Sequence, residues 1–243
     1  MDDSSRHLAA PGELGAEAAD TLRERGFVVL PGPAVAKIRR LASAYDAAVA
    51  SAADEDVKAG STTTRVNDFV NRGAEFDALY TFPPLLEACA IVIGGRFKLS
   101  SFHARTLRPH TLAQELHVDV HRNSRDWPLV GFIFMVDEFR PDNGATRFIP
   151  GSHRRLDGPE QVMPDPRGDY DGQVLACGPA GSLLIFNGSV WHGHTANRSH
   201  NPRRSLQGAF IPRDGTAATN FSARMHSETH NRLSPSARQV LGF

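Results

Sequence analysis

The sequence is poor in cysteine. Only Cys89 and Cys177 occur, which excludes a disulfide framework and a cysteine-rich zinc site. Both read as small buried apolar residues. Excess charge of either sign is also missing, because twenty-seven Lys and Arg face twenty-seven Asp and Glu. With no basic field, neither nucleic acid nor an anionic membrane is an expected partner. Long apolar runs are absent as well: stretches such as "ACAIVIGG" are far too short to span a bilayer. The acidic "MDDSSRHLAAPGELG" lacks the apolar core of a secretory signal. A cytoplasmic location is therefore expected, and the acceptor-like "NRS" at Asn197 reads as a chance match. No repeat, low-complexity block or domain linker interrupts the chain, and nothing in it reports an oligomeric state.

What is present is an ordinary core-forming composition, 40% hydrophobic and 22% charged, in a length that suits one large domain. The polar lead-in carries His7 and a short helix around Glu13–Arg25. "GFVVLPG" (Gly26–Gly32) is a strand closed by a turn. "AVAKIRRLASAYDAAVASA" places Val35, Ile38, Leu41, Ala42 and Tyr45 at helical spacing. "DEDVKAGSTTTRVNDF" has no period and reads as a loop. A second helix runs from Pro83 to Ile93, prolines at its start and "GG" after its end. Beyond Gly95 short β-type runs follow one another: "FKLSSFHARTL", "AQELHVDV", "LVGFIFMVDEF", "ATRFIP", "QVLACG", "SLLIFNGSVWHG" and "RSLQGAFIP". Helices followed by many strands predict an α+β fold, mainly β, with a sandwich or barrel over about 96–213. The helices of 13–95 flank it, the pattern "SETHNRLSPSARQVLGF" predicts a short terminal helix in a tail of 214–243, and 1–243 form a single domain.

Chemistry is most visible in the histidines. Of eleven, His7, His226 and His230 lie in terminal segments, and His153 follows the turn "PGSH". In "AQELHVDVHR", His117, Asp119 and His121 recur at every second position, so a strand would send all three from one face. A His-x-Asp pair offers an imidazole and a carboxylate to one ion. A third ligand is available in "LLIFNGSVWHGHTAN", from His192 or His194. Two histidines and one carboxylate suit a non-haem Fe(II) oxygenase with three open positions, and also a zinc site that activates water. Arg203 and Arg204 in "NPRRSLQGAF" favour the oxygenase, since a guanidinium there would clamp a dicarboxylate by paired hydrogen bonds. Strand alternation lets only one of the two enter the interior.

The segments "AQELHVD", "NGATRFIPGSH" and "WHGHTANRSHNPRRS", in that order, resemble the phytanoyl-CoA dioxygenase family of Fe(II)/2-oxoglutarate oxygenases. The resemblance extends over about 26–212. It implies a double-stranded β-helix, a cupin-like jelly roll whose mouth holds iron. By that pattern His117, Asp119 and His192 are the iron ligands and Arg203 pairs with the far carboxylate of 2-oxoglutarate. Gln114 and Thr146 are further co-substrate contacts. O₂ and 2-oxoglutarate would be consumed, succinate and CO₂ released, and a small molecule hydroxylated. The presence of Asp119 separates the chain from related halogenases, which lack the carboxylate. Candidate substrate residues come from loops near the mouth: Asn67, His121, Arg122, Trp127 and Trp191. The other readings of the residues are a zinc metalloenzyme using the same His₂Asp set and a catalytically silent jelly roll that binds a small molecule.

Overall fold

The protein is seen in a computed structural model that describes residues 12–33 and 37–243. The lead-in with His7, and Val35 of the helix expected over "AVAKIRRLASAYDAAVASA", lie outside the described residues. Helix α1 (Ala16–Arg25) ends at left-handed Gly26 and runs into strand β1 (Phe27–Pro31). Helix α2 (Ile38–Ala50) buries Leu41, Tyr45 and Ala48, one stripe of a helical surface. The segment read as a loop is instead a hairpin of β2 (Val57–Ala59) and β3 (Thr63–Val66). Lys58, Thr63, Thr64 and Arg65 are polar and Ala59 is exposed, which leaves Val57 and buried Val66 as its apolar anchors, too few for the hydrophobic alternation that announces a strand. Helices α3 (Asp77–Tyr80) and α4 (Pro83–Ile93) follow, α4 starting with prolines and ending at left-handed Gly94. By length and composition Ala74–Ile93 is apolar enough to cross a membrane. Here its Leu79, Tyr80, Leu85, Leu86, Ala88 and Cys89 are buried in the protein core.

The remaining strands are β4 (Phe97–Leu107), β5 (Val130–Met135), β6 (Thr146–Phe148), β7 (Val174–Ala176), β8 (Ser182–Asn187), β9 (His192–His194) and β10 (Arg203–Pro212). A short helix α5 (Pro159–Val162) sits between β6 and β7. One seven-stranded sheet has the order β1-β8-β5-β10-β4-β3-β2, and a three-stranded sheet the order β7-β6-β9. All the pairings are antiparallel. Phe27, Ile133, Leu184 and Phe186 from the large sheet meet Phe148 and Ala176 from the small one in a shared apolar cluster, so the two sheets face each other. This is the expected α+β jelly roll with flanking helices.

The outer face of the large sheet packs on α1, α2 and α4 through the largest apolar cluster. The tail forms three short helices, α6 (Phe221–Arg224), α7 (Ser227–Arg232) and α8 (Pro235–Leu241). Arg224 bonds Asp56 and Asp68, and Arg232 bonds Asp77, which ties the tail to the N-terminal half. Of the two cysteines Cys89 is buried, but Cys177 is exposed, contrary to the reading of both as core residues. Cys177 follows the three-residue edge strand β7, too short to carry it under cover.

Candidate active site

Between the sheets one end is closed by aromatic and aliphatic packing, and the other is lined by polar side chains around a cavity of about 300 Å³. His117, Asp119 and His192 lie there with ligand atoms all within 4.8 Å of one another. The Asp119 carboxylate is 3.9 Å from His117 Nε2 and 3.8 Å from His192 Nε2. Small side-chain adjustments close such a triangle on one ion at bond lengths of about 2.0–2.2 Å. His117 Nδ1 donates to the Glu115 carbonyl and His192 Nδ1 to the Val190 carbonyl. Each ring is thereby held in the tautomer that leaves the Nε2 lone pair free. Burial pulls the His192 pKa down to about 4 against the opposing pull of Asp119, which keeps this imidazole neutral and ready to ligate. Its ring is packed between Phe148 and Phe186.

The segment carrying His117 and Asp119 is not the regular strand its alternation suggests. It makes an isolated bridge, with His117 and His192 exchanging backbone hydrogen bonds. Leu116 donates instead to the Pro166 carbonyl, and Asp119 and Val120 both donate to that of Gly188. The shared acceptor bends the chain into a turn at 121–124. His121 therefore leaves the ligand face and stands 3.9 Å from Glu160, in an outer groove. Between the two histidines of β9, Gly193 makes the close approach possible: a Cβ there would lie 2.9 Å from the Glu115 carbonyl oxygen.

His194, two residues from His192, also lines the cavity. Its Nδ1 donates to the Thr195 carbonyl and its Nε2 accepts from the Thr62 hydroxyl, so neither nitrogen is free for a metal. Arg203 enters the cavity wall from β10, is 3% exposed, and lies 3.8 Å over the Phe139 ring. Its Nε and Nη1 are buried without a hydrogen-bond partner. Burial, with the Arg105 charge adding to it, pulls its pKa down to about 9. Arg204 points the other way and forms paired hydrogen bonds with Asp137 and a further one with Asp46. Gln114 and Thr146 both line the cavity.

The loop candidates are dispersed. Trp191 faces away from the cavity into a cluster with Leu116 and Ile149, because it precedes His192 on an alternating strand, and its indole donates to the Asp157 carbonyl. Asn67 spends its amide on the Asp56 carbonyl, and Arg122 bonds the Arg154 carbonyl on the surface. Trp127 stands at the lip of the outer groove that also holds His121. Sequence reading missed Arg65, His103, Arg105 and Gln207, all of which line the cavity. A signal existed: in "SFHART" the polar Ser101, His103 and Arg105 alternate with Phe102 and Ala104. Asn197, the glycosylation-like match, is fully buried; its side chain bonds the carbonyls of Arg108 and Asn201 and shapes the turn into β10.

Comparison with known proteins agrees with this geometry. The family model for phytanoyl-CoA dioxygenase (PhyH) matches residues 22–205. The dioxygenase trt7 of Aspergillus terreus is 28% identical over 93% of this chain and 83% of its own length. The solved structure of EctD from S. alaskensis superposes with a TM-score of 0.70 at 16% identity, covering 86% of this chain and 81% of that one. The epimerase SnoN, solved with Fe3+, alpha ketoglutarate and nogalamycin RO, gives 0.64 at 18% identity over 80% and 82% of the two chains. The chain belongs to the phytanoyl-CoA dioxygenase family.

Proposed function

We propose that the protein is an Fe(II)- and 2-oxoglutarate-dependent dioxygenase that hydroxylates an unactivated C–H bond of a small molecule. The observation that carries this reading is Arg203, a buried guanidinium with unpaired N–H groups in the same cavity as a His-Asp-His ligand set. The donors present fit the groups: two neutral imidazoles and one carboxylate suit Fe(II), and the orphaned N–H groups of Arg203 suit a carboxylate. A zinc hydrolase would leave that cation with nothing to bind. SnoN, whose structure contains both iron and alpha ketoglutarate, has the same fold.

His117, Asp119 and His192 would hold the metal, and Arg203 would anchor the far carboxylate of 2-oxoglutarate. When bound, iron and 2-oxoglutarate supply the oxidising power of O₂, with release of succinate and CO₂. Gln114 and Thr146 line the cavity beside the ligands and would orient the co-substrate. Phe148 and Phe186 shield His192 from water. His121 and Trp127 line a separate outer groove, which Asp119 also lines. Succinate release in air from protein supplied with Fe(II) and 2-oxoglutarate is the test. Slow release by the wild type, abolished in His117→Ala, supports the reading, and no release from the wild type refutes it.

A further inference from the structure

We propose that Arg105, with Arg65 beside it, forms an anion subsite that seats a negatively charged oxygen group of the prime substrate. The proposal rests on the oxygenase reading above and names the substrate class for it: an acid, bearing a carboxylate, sulfate or phosphate.

Arg65 on β3 and Arg105 on β4 are directly opposed in the sheet register, and both line the cavity. Like charges opposed across two strands destabilise a sheet, and taking them out of water adds to that cost. Among the described residues neither guanidinium has a hydrogen-bonded or ion-paired partner, and Arg65 Nε is buried without one. Burial lowers the pKa of both, and Arg65 adds to the lowering at Arg105. Next to them His103 is buried with its Nδ1 unpartnered and is held neutral by burial and by the two arginines.

Arginines that serve structure in this protein look different. Buried Arg147 leaves only its Nε unpartnered and donates through both terminal nitrogens to the carbonyls of Gln114, Pro166, Arg167 and Gly168. Arg204 is satisfied by two aspartates. Arg65, Arg105 and Arg203 share neither pattern, and all three meet in one cavity.

Charge balance then calls for a second anion. Among the described residues Asp119 is the only carboxylate lining the cavity, and it belongs to the proposed metal set. Fe(II) brings two positive charges, which the two negative charges of 2-oxoglutarate offset. The three guanidinium groups are left against one aspartate, an excess of two positive charges. Arg203 takes one end of 2-oxoglutarate. Even with one further guanidinium turned to its other end, a part-buried cation stays unpaired.

Position points to substrate. Arg105 lines both the inner cavity and an outer groove of about 690 Å³ walled by Thr62, Thr63, Thr111 and Gln114. The inner space of about 300 Å³ is at the small end for a ligand site. A substrate whose body lies in the groove would bring its acid group to Arg105 at the neck.

The test titrates protein loaded anaerobically with Fe(II) and 2-oxoglutarate against phenylacetate, phenylacetamide, sulfate and inorganic phosphate, by calorimetry. Phenylacetate or one of the inorganic anions is expected to bind, and neutral phenylacetamide is not. Arg105→Gln and Arg65→Gln should each weaken anion binding about tenfold or more, with Arg105→Lys recovering part of it. The dissociation constant of 2-oxoglutarate, from its visible absorption with Fe(II), should change much less. Tighter binding of sulfate or phosphate than phenylacetate supports the subsite and assigns an ester of those acids. Equal binding of phenylacetate and phenylacetamide, binding of none of the probes, or a loss in Arg105→Gln that falls on 2-oxoglutarate instead overturns it. If the wild type shows no Fe(II)–2-oxoglutarate absorption yet binds anions through Arg105, the oxygenase reading fails and the subsite stands.

Discussion

Arg203 and Arg204 are neighbours with the same chemistry and opposite fates. Arg204 faces out and is paired, whereas Arg203 faces in and is not. An unpaired buried cation costs stability, so replacing it with an apolar side chain of similar reach should help the fold. Arg203→Met is expected to melt higher in the apo state, by roughly 1–2 kcal/mol of unfolding free energy, and to lose most of its affinity for 2-oxoglutarate. Thermal unfolding and a co-substrate titration of one preparation check both parts. A variant less stable than the wild type would show that the contact with the Phe139 ring outweighs the cost of burying the cation. At this scale the cluster of His117, Asp119 and His192 was legible because His-x-Asp and the downstream "HGH…RR" are local patterns. His192 and His194 could not be separated by spacing alone; their hydrogen bonds separate them, since the Thr62 hydroxyl occupies the only lone pair His194 has left. Trp191 was misread as a pocket residue, although alternation against His192 turns it into the core.

At the scale of elements, the site depends on an irregular segment pressed against a three-residue strand. Residues 113–120 are held by β9, by the Pro166 and Gly188 carbonyls, and by Arg147, which grips the Gln114 carbonyl. Gly193 is the point of closest approach. Gly193→Ala should push the Glu115 carbonyl and the His117 ring it orients, with metal affinity falling about 10–100-fold, as for other changes to groups that orient ligands. Competition with a chelator measures this, and circular dichroism confirms that the fold is kept; unchanged affinity would mean the segment yields without disturbing His117. The long strands β4, β5, β8 and β10 were legible because each is apolar enough to announce itself. The β2–β3 hairpin was not, being polar and at the edge of the sheet. "AQELHVDV" has strand alternation but half of its backbone bonds go to loop carbonyls, and no pattern in the sequence reports that.

For the whole molecule, the jelly roll has a dry end and a polar end. Phe27, Met135, Phe139, Phe148, Leu184 and Phe186 fill the first, so the fold does not depend on the second for its core. The polar end is then free to gather three arginines, the proposed metal ligands and His103, groups that would destabilise an ordinary interior. The central claim, that this end holds Fe(II) and 2-oxoglutarate together through His117, Asp119, His192 and Arg203, is tested most directly by anaerobic visible spectroscopy. Titrating 2-oxoglutarate into Fe(II)-loaded protein should raise a weak charge-transfer band in the wild type and in His194→Ala, but not in His192→Ala, and only at much higher concentration in Arg203→Ala. A wild type without the band, or a band that survives in His192→Ala and disappears in His194→Ala, would contradict the account.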